Sequence, residues 1–423
     1  MLSNLEKVPT NSLKVGFYVE RLDRPWTETP FLFQGFYIHD FHEIEELKHY
    51  CEYVYVNAVR SAELAVPRHA GGGREVATTA SRTFSPQPTA TRDTSSVPKH
   101  RRELYVKTRP VEHEIAVAGK AHADASRAAA SIIAALQLEG TLDVDMARQT
   151  VEPMMESVLR NPDALIWLSR MRSHDAYIYE HSVNCSIWGM AFARHLGLDK
   201  ESIYEVGLGC LLFDVGKTRL PQGLLAKADK LTPDEWRVVQ GHVAYGVSIL
   251  EDSGDVSARI VDMLRSHHER YDGSGYPSEL QGNQIPTFGK IAGIVDCYDA
   301  LVSPRPYATQ RSPHEAVREI YCWRGNLFQA EVVEQFMQVV GVFPTGSLVE
   351  LNTGAVGVVI AQNEIRRLRP RIMLLLDKAK RRLPDFEIVD LLHDHPWDDV
   401  KQFWVDKHLE TGAYGIDPQQ LYL

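Results

Sequence analysis

No stretch of this 423-residue chain approaches the run of about 20 apolar residues that crosses a bilayer as a helix, so no membrane span is expected. The start, Met1-Leu2-Ser3-Asn4-Leu5-Glu6-Lys7, has neither the basic segment nor the apolar core of a secretory signal, and a cytoplasmic location is the expectation. Cysteine is scarce: five residues (Cys51, Cys185, Cys210, Cys297, Cys322), widely separated and without a C-x-x-C pair. That spacing speaks against a disulfide framework and reads as reduced, mostly buried thiols. Positive charge is short as well, 46 Lys and Arg against 56 Asp and Glu, for a formal net charge of −10. Such a balance argues against DNA or RNA as partner, and the runs Lys99 to Arg102 and Arg366 to Arg371 read as solvated surface. Internal repeats are not evident.

What remains is ordinary globular composition, 44% hydrophobic and 24% charged, over a length that suits two or three cores. Residues 1–65 alternate apolar and polar positions in short runs, as in Glu52-Tyr53-Val54-Tyr55-Val56, and predict a β-rich module with one helix near Phe41 to Tyr50. Residues 66–108 contain Gly71-Gly72-Gly73 and Ser85-Pro86-Gln87-Pro88, too polar and too rich in turn formers to bury a core, and read as a flexible linker. A helical domain is expected over 109–345, where apolar residues recur three and four apart. Strands are expected in 346–423, over Gly346 to Leu351, Ala355 to Ala361 and Arg371 to Leu376, followed by helix-like pieces over Pro396 to His408. The fold class is therefore mainly α, with a small β-rich N-terminal domain and a short C-terminal β element.

The chemistry centres on His267-His268-Glu269-Arg270-Tyr271-Asp272-Gly273-Ser274-Gly275-Tyr276-Pro277. Neutral imidazole is the commonest protein metal ligand and suits Fe, Mn, Ni or Zn. The Gly-Ser-Gly turn permits positive φ or a close approach to a ligand, and Pro277 restricts the backbone of Tyr276. A bland alternative is a helix cap followed by a surface turn. Elsewhere in the helical region His181, Asp214, His242 and Asp296 sit in or beside very apolar segments. Charge in such places is costly unless paired or coordinated, and six residues of this kind in one domain point to a bound cation.

Over about 170 to 340 the chain resembles the HD-GYP family, a branch of the HD superfamily of metal-dependent phosphohydrolases whose known members hydrolyse cyclic di-GMP. The resemblance rests on His181-Ser182, Asp214-Val215-Gly216-Lys217, His242, His267-His268-Glu269, Asp272 to Pro277, Asp296 to Leu301 and Ser303 to Tyr307. The N-terminal module is similar to an uncharacterised domain that often precedes HD-GYP units. The resemblance implies an HD-type helical bundle with one or two divalent ions per chain, Fe, Mn or similar. Asp214 would bridge two ions, His181 and Asp296 would hold the first, and His242, His267 and His268 the second. It implies that Lys217 lies near the scissile phosphate, that Arg305 grips a substrate phosphate, and that Gly275 and Tyr276 contact the nucleotide from the GYP loop. Asp214 and Lys217 would then be the catalytic pair, with metal-activated water attacking phosphorus.

The chain departs from the family at the name-giving His-Asp pair, because Phe213 precedes Asp214 and supplies no lone pair. Tyr177 stands where members with a third metal place Glu, and Ala308 follows Tyr307 where members often carry a basic residue. Two readings follow: a cyclic di-GMP phosphodiesterase of reduced activity, or a degenerate relative that senses the cyclic dinucleotide or offers its GYP loop to a diguanylate cyclase. A homodimer is compatible with either reading.

Overall fold

In the computed structural model the described residues are 5–24, 36–38, 41–58, 61, 103–170, 177–225, 227, 229–254, 256–303, 310–363, 368–392, 403–410 and 412–416. They fall into two compact units, residues 1–102 and 103–423. The linker expected over 66–108 lies almost wholly outside the described residues.

The first unit contains β1 (Leu5–Pro9), β2 (Tyr18–Leu22), β3 (Phe36–Tyr37), α1 (Phe41–Tyr50) and β4 (Tyr53–Asn57), in an antiparallel sheet of order β1-β4-β2-β3. The alternation in β4 sends Val54 and Val56 into a core shared with Val8, Val19, Leu22, Ile44 and Leu47. Tyr53 points the other way, and its ring lies 3.4 Å beneath the Lys7 ammonium.

The second unit opens with α2 (Val111–Glu139), α3 (Val144–Arg160) and α4 (Pro162–Leu168). Buried Ala118, Ala121, Ala125 and Ala129 form a small-residue stripe along α2, which allows close packing. Glu114 on the same helix is fully buried and satisfied by Arg160 and by Ser157 at 2.8 Å. Next come α5 (Tyr177–His195) and α6 (Lys200–Leu212), then α7 (Gln222–Leu225), α8 (Pro233–Gln240), α9 (His242–Ser253), α10 (Ala258–Ser266), α11 (Thr287–Val302), α12 (Pro313–Cys322) and α13 (Ala330–Val340). Helix α6 is buried almost all round, from Ser202 to Leu212 with Tyr204 the exception, and is therefore a central helix. Trp188, Phe192, Tyr298 and Phe336 meet edge to face with centroids 4.9–6.1 Å apart and tie α5, α11 and α13 together. No described helix is long and apolar enough to cross a membrane.

The chain ends in an antiparallel sheet of β5 (Leu348–Leu351), β6 (Val356–Ala361), β7 (Arg371–Leu376), β8 (Arg382–Asp390) and β9 (Val405–His408), order β8-β7-β6-β5-β9. One face packs Leu348, Val356, Val358 and Met373 with Trp167 of α4; the other gathers Val349, Val359, Ile372, Leu374 and Phe403. Here one expectation is corrected. Residues Val405–His408 form an edge strand on β5, not the end of a helix. Cross-strand pairing supplies the partner that local helical pattern lacks. Strand β8 runs through Pro384, which an edge strand tolerates because its outer N–H groups need no partner; its pairing with β7 shifts register between Leu374 and Leu376.

Candidate metal centre

Helix α6 stops at Leu212, and Asp214 (φ −102°, ψ 5°) begins a short 3-10 turn over Val215–Arg219. That turn lies against the first turn of α9. A Cβ on Gly216 would sit 1.9 Å from the carbonyl oxygen of His242 and 2.5 Å from the Gly246 nitrogen, so only glycine permits the contact. The contact places Asp214 opposite His242.

The imidazoles are aimed by their outer nitrogens. His242 Nδ1 donates to the Val239 carbonyl at 2.7 Å, and His267 Nδ1 donates to the Leu264 carbonyl at 2.6 Å. A carbonyl can only accept, so each ring carries its proton on Nδ1 and turns the Nε2 lone pair inward. The two Nε2 atoms lie 3.5 and 3.9 Å from Asp214 Oδ1. All three atoms are buried and have no hydrogen-bond partner among the described residues. With His268 these side chains present ligand atoms within 4.8 Å of one another.

Electrostatics agree with that geometry. Burial pushes His242 and His268 down, and pushes His267 down to about 4, so all three are neutral lone-pair donors near pH 7. Burial would raise the Asp214 carboxyl, but the Lys217 ammonium, 2.5 Å from Oδ2, and the imidazoles hold it below the usual range. Buried acceptor atoms left without donors are expensive. A carboxylate and three neutral imidazoles around one point form the donor set of a borderline divalent cation, so the residues present fit one such ion.

The other half of the site differs. His181 Nδ1 lies 2.7 Å from Asp299 Oδ2, and Nε2 lies 3.1 Å from Asp296 Oδ1 and 3.7 Å from Asp214 Oδ2. Burial opposes protonation of this ring, yet hydrogen bonds and charge from Asp296 and Asp299 outweigh it and push His181 up to about 9. With no ion bound, His181 is thus an imidazolium that donates to Asp299 through Nδ1 and to Asp296 through Nε2. Phe213 is fully buried between the halves, its ring centroid 6.0 Å from His181 and 4.8 Å from His267. Asp296 also reaches His268 Nδ1, at 3.7 Å.

The loop after His268 is built by two carboxylates. Glu269, buried, accepts from the backbone of Ser278 (2.7 Å) and Leu280 (2.9 Å), and Asp272 accepts from Ser274 N and Oγ. Gly273 takes φ +82°, and a Cβ on Gly275 would meet Arg270 N at 2.4 Å, so the turn folds back onto the backbone of 268–270. The Tyr276–Pro277 peptide is cis. The Tyr276 ring stacks on His268 at 4.7 Å and 29°, and Trp236 of α8 meets it edge-on at 6.0 Å.

Of the residues singled out in the sequence, His181, Asp214, Lys217, His242, His267, His268, Tyr276 and Asp296 come together, and Gly275 shapes the loop beside them. Arg305 and Ala308 lie outside the described residues. Three contributors were missed: Asp299, Cys185 (Sγ 3.7 Å from His181 Nδ1) and Trp236. Asp299 had a signal, being one helical turn beyond Asp296 in an otherwise apolar segment.

The HD domain profile matches residues 168–332, a domain of unknown function (DUF3391) matches 5–147, and a KOW domain associated with HD domain matches 348–395. A cyclic di-GMP phosphodiesterase of Pseudomonas aeruginosa is 31% identical over 390 residues, 92% of this chain and 89% of that protein. The chain belongs to the HD-GYP family. HD domains are metal-dependent phosphohydrolases, and the ligand cluster around Asp214 is of the kind they need. Within the family, the cyclic di-GMP phosphodiesterase response regulator RpfG of Xanthomonas campestris pv. campestris is 36% identical over 163 residues, 37% of this chain and 43% of its own length. The solved structure of Bd1817, an HDG"Y"P protein from Bdellovibrio bacteriovorus, aligns with TM-score 0.43 and 14% identity over 79% of this chain and 98% of that one. In this HD-GYP member the HD pair reads Phe213-Asp214, while Gly275-Tyr276-Pro277 stands unchanged.

Proposed function

We propose that this protein is a divalent-metal-dependent phosphodiesterase that opens cyclic di-GMP to the linear dinucleotide. The observation that carries the reading is the convergence of three buried acceptor atoms, Asp214 Oδ1, His242 Nε2 and His267 Nε2, that have no hydrogen-bond partner among the described residues. The named activity of the Pseudomonas aeruginosa relative, matched along nearly its whole length, supports the choice of substrate. One ion, Fe or Mn, is held by Asp214, His242, His267 and His268. When bound it supplies Lewis acidity and lowers the pKa of water. Lys217 binds the scissile phosphate beside Asp214, Asp296 orients His268 and His181, and His181 holds a proton at Nε2 facing Asp296 and Asp214. Tyr276, on its Gly275 turn, contacts the nucleotide, and Arg305 grips the second phosphate by charge-assisted hydrogen bonds. In this reading residues 109–345 form the catalytic domain and the protein acts in the cytoplasm.

Metal-stripped protein reloaded with Mn or Fe and assayed on cyclic di-GMP tests it, with metal counted per chain and His267→Ala as control. Turnover above the control is expected; none would sink the hydrolase reading.

A second reading is favoured by Phe213, which withdraws a ligand from the first metal position. The protein then binds the cyclic dinucleotide without cleaving it, or presents its GYP loop to a diguanylate cyclase, alone or as a homodimer. Tyr276→Ala that leaves both nucleotide and partner binding unchanged eliminates this alternative.

A further inference from the structure

We infer that Trp236 is a substrate-binding residue whose indole face, beside Tyr276, receives one nucleobase of the cyclic dinucleotide; this rests on the phosphodiesterase reading and extends its site outward. Helix α8 is the anomaly that leads there. None of its eight residues is buried, and Trp236 is 46% exposed. An isolated helix of that length is marginal in water, and the usual compensation is an apolar face packed on a core. Here that compensation is missing, yet the helix is tethered at both ends. Thr232 and Glu235 form a reciprocal cap, and Lys227 Nζ sits 2.7 Å from both Glu235 oxygens. At the other end the Val239 carbonyl takes the Nδ1 proton of His242, a ligand residue. An indole held in place by charge and capping, and left about half exposed, is a prepared surface.

Its position gives that surface an occupant. Trp236, Tyr276 and His268 form a file of rings from solvent to the ligand cluster, alternately edge-on (6.0 Å, 83°) and stacked (4.7 Å, 29°). A diester phosphate at Lys217 and Asp214 leaves its nucleoside at the mouth of this file, where flat apolar faces are on offer. On the same helix Asp234 and Arg237 pair with each other, and the indole is the aromatic group that α8 brings to Tyr276. Stacking reads the π-face, which every base has, and so tolerates exchange of guanine for adenine.

The test uses the full-length, metal-loaded protein and the variants Trp236→Ala and Trp236→Phe. For cyclic di-GMP, Trp236→Ala is expected to raise KM about ten-fold with kcat nearly unchanged, the low-to-middle range for loss of one base stack. Trp236→Phe should recover most of the loss. The mixed guanine–adenine cyclic dinucleotide should suffer equally, and bis(p-nitrophenyl) phosphate, which has no base, should not respond. Unchanged KM in Trp236→Ala while wild type cleaves cyclic di-GMP overturns the inference and leaves the phosphodiesterase reading intact. So does an equal loss on the baseless diester, which would make α8 merely a support for His242. If wild type binds cyclic di-GMP without turnover and Trp236→Ala weakens binding about ten-fold, the stacking role stands and the hydrolase reading falls. If wild type neither binds nor cleaves it, both fall.

Discussion

The ring of Phe213 lies tilted against that of His267, centroids 4.8 Å apart, one residue before Asp214. It occupies the middle of the site and gives nothing to a cation. Phe213→His puts a lone pair into that gap between His181 and His267. In metal-free protein the buried imidazole lacks a partner, and a loss of about 1–3 kcal/mol is expected. Added Mn or Fe should reverse the loss, since a ligand bound only by the native state raises its stability. Elemental analysis should find more metal per chain than in wild type, with faster hydrolysis of cyclic di-GMP. A variant that folds but takes up no additional metal would show that His181, held as an imidazolium by Asp296 and Asp299, keeps the first position closed.

Gly216 offers a separate test of how Asp214 is placed. Its missing Cβ lets the 3-10 turn touch the backbone of His242, where an added methyl would lie 1.9 Å from the carbonyl oxygen. Neither backbone can yield cheaply, so Gly216→Ala should cost about 3 kcal/mol or more. Metal retention should fall with it, because Asp214 and His242 can no longer face each other. Calorimetry with metal analysis checks both; a variant as stable and as metal-rich as wild type would mean that Asp214 is positioned some other way.

How far these features were legible in the sequence differs by type. The helices from Val111 to Val340 and the strands β5 to β7 were, because apolar period and β-branched runs report local structure directly. Val405–His408 was not, since its strand character comes from pairing with β5, which local pattern does not encode. Ligand-type residues stood out by their apolar surroundings, but their tautomers and charges depend on carbonyls and carboxylates brought in by the fold. His181 needs both Asp296 and Asp299 on one face of α11 to keep its proton. Trp236 gave no signal, as an exposed aromatic on a short helix gains meaning only from the ring it meets.

Glu269 follows the two histidines directly in the sequence, and its oxygens turn to the N–H groups of Ser278 and Leu280. Glu269→Gln replaces one accepting oxygen with an NH2 group facing an N–H. A loss of about 1–2 kcal/mol confined to the loop is expected, from a charge-assisted bond broken in a buried place. KM for cyclic di-GMP should rise while metal per chain stays constant, since no ligand atom has moved. Metal loss in this variant would instead assign Glu269 to the ion.

The joint between the helical bundle and the C-terminal sheet carries a titratable pair. His314 of α12 and His408 of β9 stack at 4.8 Å and 27°, and His408 Nε2 is buried without a hydrogen-bond partner among the described residues. Burial first, and then His314, push His408 down to about 4, against the opposing pull of Glu315. A folded-state pKa below the unfolded value of about 6.5 means that the unfolded chain binds this proton more tightly. The contribution of His408 is therefore fully present above that unfolded value and is lost as pH falls from about 6.5 through about 4. Because the ring is only half-buried, the loss is on the order of 1–2 kcal/mol, less than the whole shift implies. His408→Phe preserves a stacked ring but cannot take up a proton. Urea unfolding at pH 7 and near pH 4.5 should show a smaller acid loss in this variant than in wild type. The buried His242, His267 and His268 titrate in the same direction in both proteins, so the difference between them isolates the joint. Equal losses would mean that the stack opens without cost and that acid acts elsewhere.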